Sequence, residues 1–132
     1  MNPVLSSEGL KVNWINYHTR VKDVYFRMHA DGKVASIAIS IEHADASIRD
    51  LYFQQFLELQ TFLHAQVGEE WNWHPGAVDE SGRPVARIGK ELANVSIFSK
   101  DDWPALITFF KPRLIALDAF WENARYSFDA LR

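Results

Sequence analysis

The strongest constraint on this chain is a change of hydrophobic period. From Val24 to Ser40 apolar and polar residues alternate around an Asp31-Gly32 pair, whereas from Asp45 onward apolar residues recur at three- and four-residue spacing. Alternation sends successive side chains to opposite faces of a strand, and the longer period gathers them on one face of a helix. A chain carrying both must build a sheet and lay helices on it.

Asp-Gly is favoured in a two-residue type I′ hairpin turn, because both turn positions need positive φ. With Asp31 and Gly32 as the loop, Val24 is expected opposite Ile39, Phe26 opposite Ile37 and Met28 opposite Ala35, on the core face. Tyr25, Arg27 and His29 then share the other face with Ala38, Ser36 and Val34, and Ser40 and Glu42 lie further along it. Upstream, Lys11 to Thr19 alternates as another strand, joined by a tight turn at Thr19-Arg20. A two-residue loop there puts Trp14 opposite Tyr25 and Asn16 opposite Asp23.

Ile48, Leu51, Tyr52, Phe56, Leu59, Phe62 and Leu63 mark an amphipathic helix of about six turns. Asp45 is its expected N-cap and Gly68 its C′ residue. Trp71 and Trp73 then alternate with Asn72 and His74. A turn-rich loop, Asp79 to Pro84, leads into a strand over Val85 to Ile88, which Val95 to Phe98 continue or supplement. In the last third, Ser99 and Asp102 resemble a capping arrangement, and Pro104 falls in a first helical turn, where its missing N–H costs little. Pro112 predicts a break or kink near Phe110-Lys111. Beyond it Leu114, Leu117, Trp121, Ala124 and Phe128 form a stripe that Ile115, Phe120 and Leu131 widen. The order is βββαββα(α), an α+β fold in which helices pack on an antiparallel sheet of about five strands.

Composition bounds what such a fold can do. With 132 residues, 48% of them hydrophobic and 23% charged, the chain is expected to form one domain, residues 1–132, with a real core rather than a disordered segment. Lys and Arg number 14 against 17 Asp and Glu, and this mild acidic excess gives no electrostatic footprint for a nucleic-acid backbone. There is no cysteine, so disulfides and thiolate chemistry are excluded. No signal-peptide pattern opens the chain, and no run approaches the roughly eighteen apolar residues of a membrane span. A cytoplasmic protein without membrane contact is the expectation.

Catalytic motifs are sparse. His18, His29, His43, His64 and His74 show no ligand spacing, so neither a metal centre nor a cofactor is expected. The glycines are scattered and form no phosphate cradle, and no serine sits in a nucleophile elbow. Asp23 and Glu42 invite comparison with metal-dependent nucleases of the restriction-endonuclease type, in which two carboxylates hold Mg²⁺. The lysine two positions beyond the second acid is missing here, since Ala44 stands in its place. No catalytic residue is therefore assigned.

The non-core face of the strands is the better candidate. Trp14, Asn16, Tyr25, Arg27, Ser36, Ser40 and Glu42 combine flat rings, small residues and one opposed ion pair, a mixture suited to a ligand groove. The competing reading covers that face with a helix or a second subunit and leaves Arg27 and Glu42 to neutralise each other. Trp71 and Trp73 are expected as core or interface anchors, with base stacking the alternative. Arg87, on a neighbouring strand, would serve as their cation–π partner or as an anion contact. The candidate ligand-binding set is thus Trp14, Asn16, Tyr25, Arg27, Glu42, Trp71, Trp73 and Arg87.

Several segments together resemble a bacterial domain-of-unknown-function family of small stand-alone proteins. They are Val-Asn-Trp-Ile-Asn-Tyr (12–17), Val-Tyr-Phe-Arg-Met (24–28), Glu-Trp-Asn-Trp (70–73) with Ala-Arg-Ile (86–88), Ser-Ile-Phe-Ser-Lys-Asp-Asp-Trp-Pro-Ala-Leu-Ile (96–107) and Phe-Phe-Lys-Pro-Arg-Leu (109–114). The resemblance covers essentially the whole chain, and a related domain ends longer chains whose front half is nuclease-like. It implies at most a supporting role around DNA, transfers no catalytic residue, and singles out Trp14, Arg27, Trp71, Arg87 and Trp103. Members of that family usually open with an additional aromatic-bearing helix before the segment that begins here. Its absence would leave the face around Trp14 and Tyr25 open or free to dimerise.

The resulting expectation is a non-catalytic interaction module that forms a homo-oligomer or binds a protein partner. One alternative is a small-molecule or anion site around Trp14, Arg27 and Glu42. The other is an accessory domain of DNA-related systems, which the net charge disfavours.

Overall fold

The computed structural model describes residues 19–79 and 81–131. The described elements run β1 (Val24–Ala30), β2 (Val34–Ile41), α1 (Ala46–Glu58), α2 (Gln60–Val67), β3 (Asn72–Val78), β4 (Pro84–Ala93) and α3 (Trp103–Ala124). Short 3₁₀ turns flank α3 at Lys100–Asp102 and Arg125–Leu131. The fold is α+β. Its described strands form an antiparallel four-stranded sheet in the order β1-β2-β4-β3, where about five strands were expected. The predicted strand over Lys11 to Thr19 lies outside the described residues except for Thr19, which belongs to no strand.

The hairpin forms with its two faces as expected, but its partners move. Phe26 pairs with Ile39, Val24 with Ile41 and Met28 with Ile37, because the loop residues are Gly32 and Lys33 rather than Asp31 and Gly32. Asp31 closes the turn: its N–H donates to the Val34 carbonyl, and its carboxylate accepts from the Lys33 and Val34 amides at 2.8 and 2.9 Å. Neither loop residue has a positive φ, which rules out the type I′ turn. Moving the turn centre by one residue shifts the register by two, and that preserves every side chain's face. The segment after β4 straps this tip. Val95 and Ile97 donate to the Lys33 and Asp31 carbonyls without forming the expected strand, after β4 ends in a positive-φ turn at Asn94.

The long helix is two helices. Asp45 caps α1 by accepting from Ser47 and Ile48, and Gly68 ends α2 in a left-handed conformation at φ 75°. Between them Leu59 leaves helical geometry. The redirection keeps α1 on the sheet while α2 runs along α3. It also rotates the buried stripe. Tyr52, Phe53, Phe56 and Leu63 are buried, whereas Ile48, Leu51 and Phe62, expected in the core, are exposed.

Pro112 does not break α3, which runs unbroken from Trp103 to Ala124. An internal proline deletes one helical bond and costs about 3 kcal/mol, but Phe109, Phe110, Leu114 and Leu117 are buried on either side and hold the helix in place. Arg113 Nη1 also donates to the Phe109 carbonyl at 2.9 Å. Ile115, expected on the stripe, is exposed. Ser99 makes no capping bond. Asp102 instead accepts from the Ser96 amide at 2.9 Å, which pins the incoming loop.

One face of the sheet and the helices share a core that includes Phe26, Ile37, Ile39, Ile88, Phe56, Phe120, Trp121 and Phe128. Trp121 meets Phe26 edge to face at 5.8 Å and stacks on Phe56 at 5.9 Å, and its indole N–H donates to the Thr19 carbonyl at 2.7 Å. A half-buried clamp joins the start of the second hairpin to α3. Arg113 holds Glu69 through two bonds of 2.7 and 2.9 Å, and Trp71 Nε1 donates to the same carboxylate at 2.8 Å.

A polar groove on the open sheet face

The face of the sheet turned away from the core is built in rows. Strand pairing puts Tyr25, Ser40, Arg87 and His74 on one row across the sheet, and Arg27, Ala38, Gly89 and Asn72 on the next. His29, Ser36 and Glu91 form a third. The middle strands supply small residues at Ser36, Ala38, Ser40 and Gly89, so the floor is low. Longer side chains rise on both edge strands. The result is an open groove of about 690 Å³, within the range of small-molecule sites. Gly89 keeps the floor flat: a Cβ there would stand 2.8 Å from the Ile37 carbonyl oxygen. At the far edge, β3 is irregular between His74 and Ala77. Pro75 lacks an amide to continue the ladder there, an irregularity that an edge strand tolerates.

Most of the charge in the groove is already paired. Arg27 Nε and Nη2 grip the two Glu42 oxygens at 3.0 and 2.9 Å, and the guanidinium lies 4.3 Å over the Tyr25 ring. Burial disfavours the charged form of Glu42, but the Arg27 guanidinium outweighs it and holds the carboxyl below its ordinary value. Asp79 is fixed by the Ser81 and Arg83 amides and by Arg83 Nε at 3.0 Å. Lys90 and Glu91 carry no ion pair among the described residues, and two more groups stand apart. Arg87 is half-buried and has neither hydrogen bond nor ion pair among the described residues. Beside it, Ser40 is fully buried, and its Oγ makes no hydrogen bond of good geometry, although it lies near enough to Glu42 to help keep that carboxylate ionised.

The structure brings Tyr25, Arg27, Glu42 and Arg87 together on this face, while Trp14 and Asn16 lie outside the described residues. Trp71 is buried on the core side, and Trp73 packs there against Phe53 and His64, at 5.8 and 6.0 Å between ring centroids. Arg87 therefore faces away from both tryptophans, since Trp73 pairs with Ile88 and His74 with Arg87. Asp23 lies opposite Glu42, its carbonyl accepting the Glu42 amide at 2.7 Å, but the Glu42 carboxylate is committed to Arg27. Sequence reasoning missed His74, Asn72, Asp79 and Arg83 as groove walls. The alternation of Asn72 and His74 with the tryptophans held the signal, but the β2–β4 pairing that turns them toward Arg27 is non-local.

His29 bonds Asp31 at 3.0 Å, and this contact together with the turn amides holds the Asp31 carboxyl at about 2. No helix among the described residues is long and apolar enough to cross a membrane. No curated protein and no solved structure matches the chain. A family model does: the one described as a domain of unknown function, DUF4268, matches residues 3–125, and the chain belongs to that family.

Proposed function

We propose that this domain is a non-catalytic binding module whose polar sheet face is its recognition surface. The observation that carries this reading is the groove itself, a low floor of Ser36, Ala38 and Gly89 walled by polar side chains from both edge strands. Two of its three carboxylates, Glu42 and Asp79, are each tied to an arginine, which favours binding over proton transfer. An amide-resolved NMR titration against a fragment collection tests the reading. Shifts should cluster at Ser36, Ser40, His74, Arg87 and Gly89, and a collection that moves none of them removes it.

Self-association has one observation in its favour. Phe98 is 83% exposed, and its ring lies 3.6 Å from where a Cβ on Gly32 would stand, at the tip of the first hairpin. An exposed aromatic at a well-ordered tip suits an interface anchor. Light scattering over a concentration series should show a dimer that Phe98→Ser weakens, and a strict monomer at every concentration removes this reading.

A further inference from the structure

Resting on the binding reading above, we propose that Arg87 and His74, with Ser40 buried between the strands beside them, form an oxyanion subsite in the groove. The subsite would hold the phosphate or carboxylate group of a small molecule.

Three observations converge on this row. Arg27 and Arg83, the other groove arginines, are spent on Glu42 and Asp79, whereas Arg87 has no partner among the described residues. A half-buried guanidinium loses hydration without a return unless an anion completes it, and its planar fork matches two oxygens of a carboxylate or phosphate. Ser40, next to Arg87 on the same row, is fully buried with a hydroxyl that makes no bond of good geometry, so it adds a polar group beneath the site without touching the ligand. His74 pairs with Arg87 from the opposite side, just as Ser40 does. Cross-strand neighbours stand about 5 Å apart at Cβ, so Arg87 and His74 can close on one cluster of oxygens.

The surroundings fit that occupant. Gly89 and Ala38 leave the adjoining row low, which gives room for the body of the ligand beside its charged group, and Asn72 stands at the end of that row. Glu42 does not cancel the attraction, since Arg27 neutralises it. A nucleic-acid strand fits poorly. It would need cations along its path, and the chain carries a net charge of −3.

Inorganic phosphate, succinate and a neutral amide of succinate, titrated into the intact protein by NMR, separate the possibilities. Phosphate or succinate should shift Ser40, His74 and the Arg87 Nε–H, and whichever binds more tightly names the source of the oxyanion. Arg87→Gln should weaken that binding about tenfold or more, while Lys111→Gln, on the exposed side of α3, should leave it unchanged. Ser40→Ala should weaken it less, and the amide spectrum of each variant reports whether it remains folded. Equal losses in Arg87→Gln and Lys111→Gln would overturn the subsite as mere surface attraction. Neutral compounds that bind in the groove where neither anion does would overturn the oxyanion subsite and leave the binding module standing. Silence from every probe would remove both.

Discussion

The two faces of one sheet divide the labour of this molecule. On the core side β1, β2 and β4 present Val24, Phe26, Ile37, Ile39, Ile41 and Ile88, all buried, and aromatic side chains from the helices close over them. On the other side the same strands present Tyr25, Arg27, His29, Ser36, Ser40, Arg87 and Glu91. Period-two alternation makes this separation automatic: each backbone position serves one face only. Stability and recognition can therefore vary almost independently, and substitutions on the two faces should differ in kind.

The largest effect is expected deep on the core side. Phe56 is fully buried between Trp121 and Phe128, with centroids at 5.9 and 4.6 Å. Phe56→Ala should cost about 3–5 kcal/mol in a urea titration, and a loss below about 1 kcal/mol would show that the core closes over the cavity. An intermediate effect belongs to the clamp between Glu69 and Arg113. Burial disfavours the Glu69 carboxylate, yet the Arg113 guanidinium and the Trp71 indole outweigh it, and the pKa falls below its ordinary value of 4.5. A carboxyl depressed in the folded state stabilises above its unfolded pKa and loses that contribution as pH falls through the folded value. Arg113→Met should thus cost about 1–3 kcal/mol at neutral pH, and the gap from the parent should narrow well below pH 4.5. A gap that stays constant with pH would assign the loss to packing alone.

The smallest effect is the most informative. Ser40→Ala removes a buried hydroxyl that lacks a well-formed bond, so stability should be unchanged or rise by up to about 1 kcal/mol. A comparable loss would mean that the hydroxyl serves the fold. No change in stability together with weaker anion binding would separate the two faces as sharply as a single residue can.

Much of the fold was legible because its local signals agree. Faces in the first hairpin follow from alternation alone and survive a misplaced turn, since Asp31 closes the turn with its carboxylate rather than occupying it. The Asp45 cap and the Gly68 terminus were likewise visible. The turn at Leu59 was not, because neither glycine nor proline marks it and tertiary packing selects it. At Pro112 the expected break did not occur, because its local penalty was outweighed by burial along the rest of α3. The groove was half legible. Arg27 and Glu42 were placed together from the hairpin, but uniting Arg87 with Ser40 requires β4 to pair with β2 across nearly fifty residues, and no local pattern announces that neighbour.

The bond from the Trp121 indole to the Thr19 carbonyl also sets an order of events during synthesis. The strands and α1 can collapse together as they leave the ribosome, but part of the apolar face stays uncovered until the last long helix has been made. Until then Phe26 lacks the Trp121 ring that meets it at 5.8 Å. Contacts this distant in sequence form slowly, and chains with unburied apolar surface are the ones that aggregate. A ribosome stalled before Trp121 would present a sheet whose apolar side is still only partly covered.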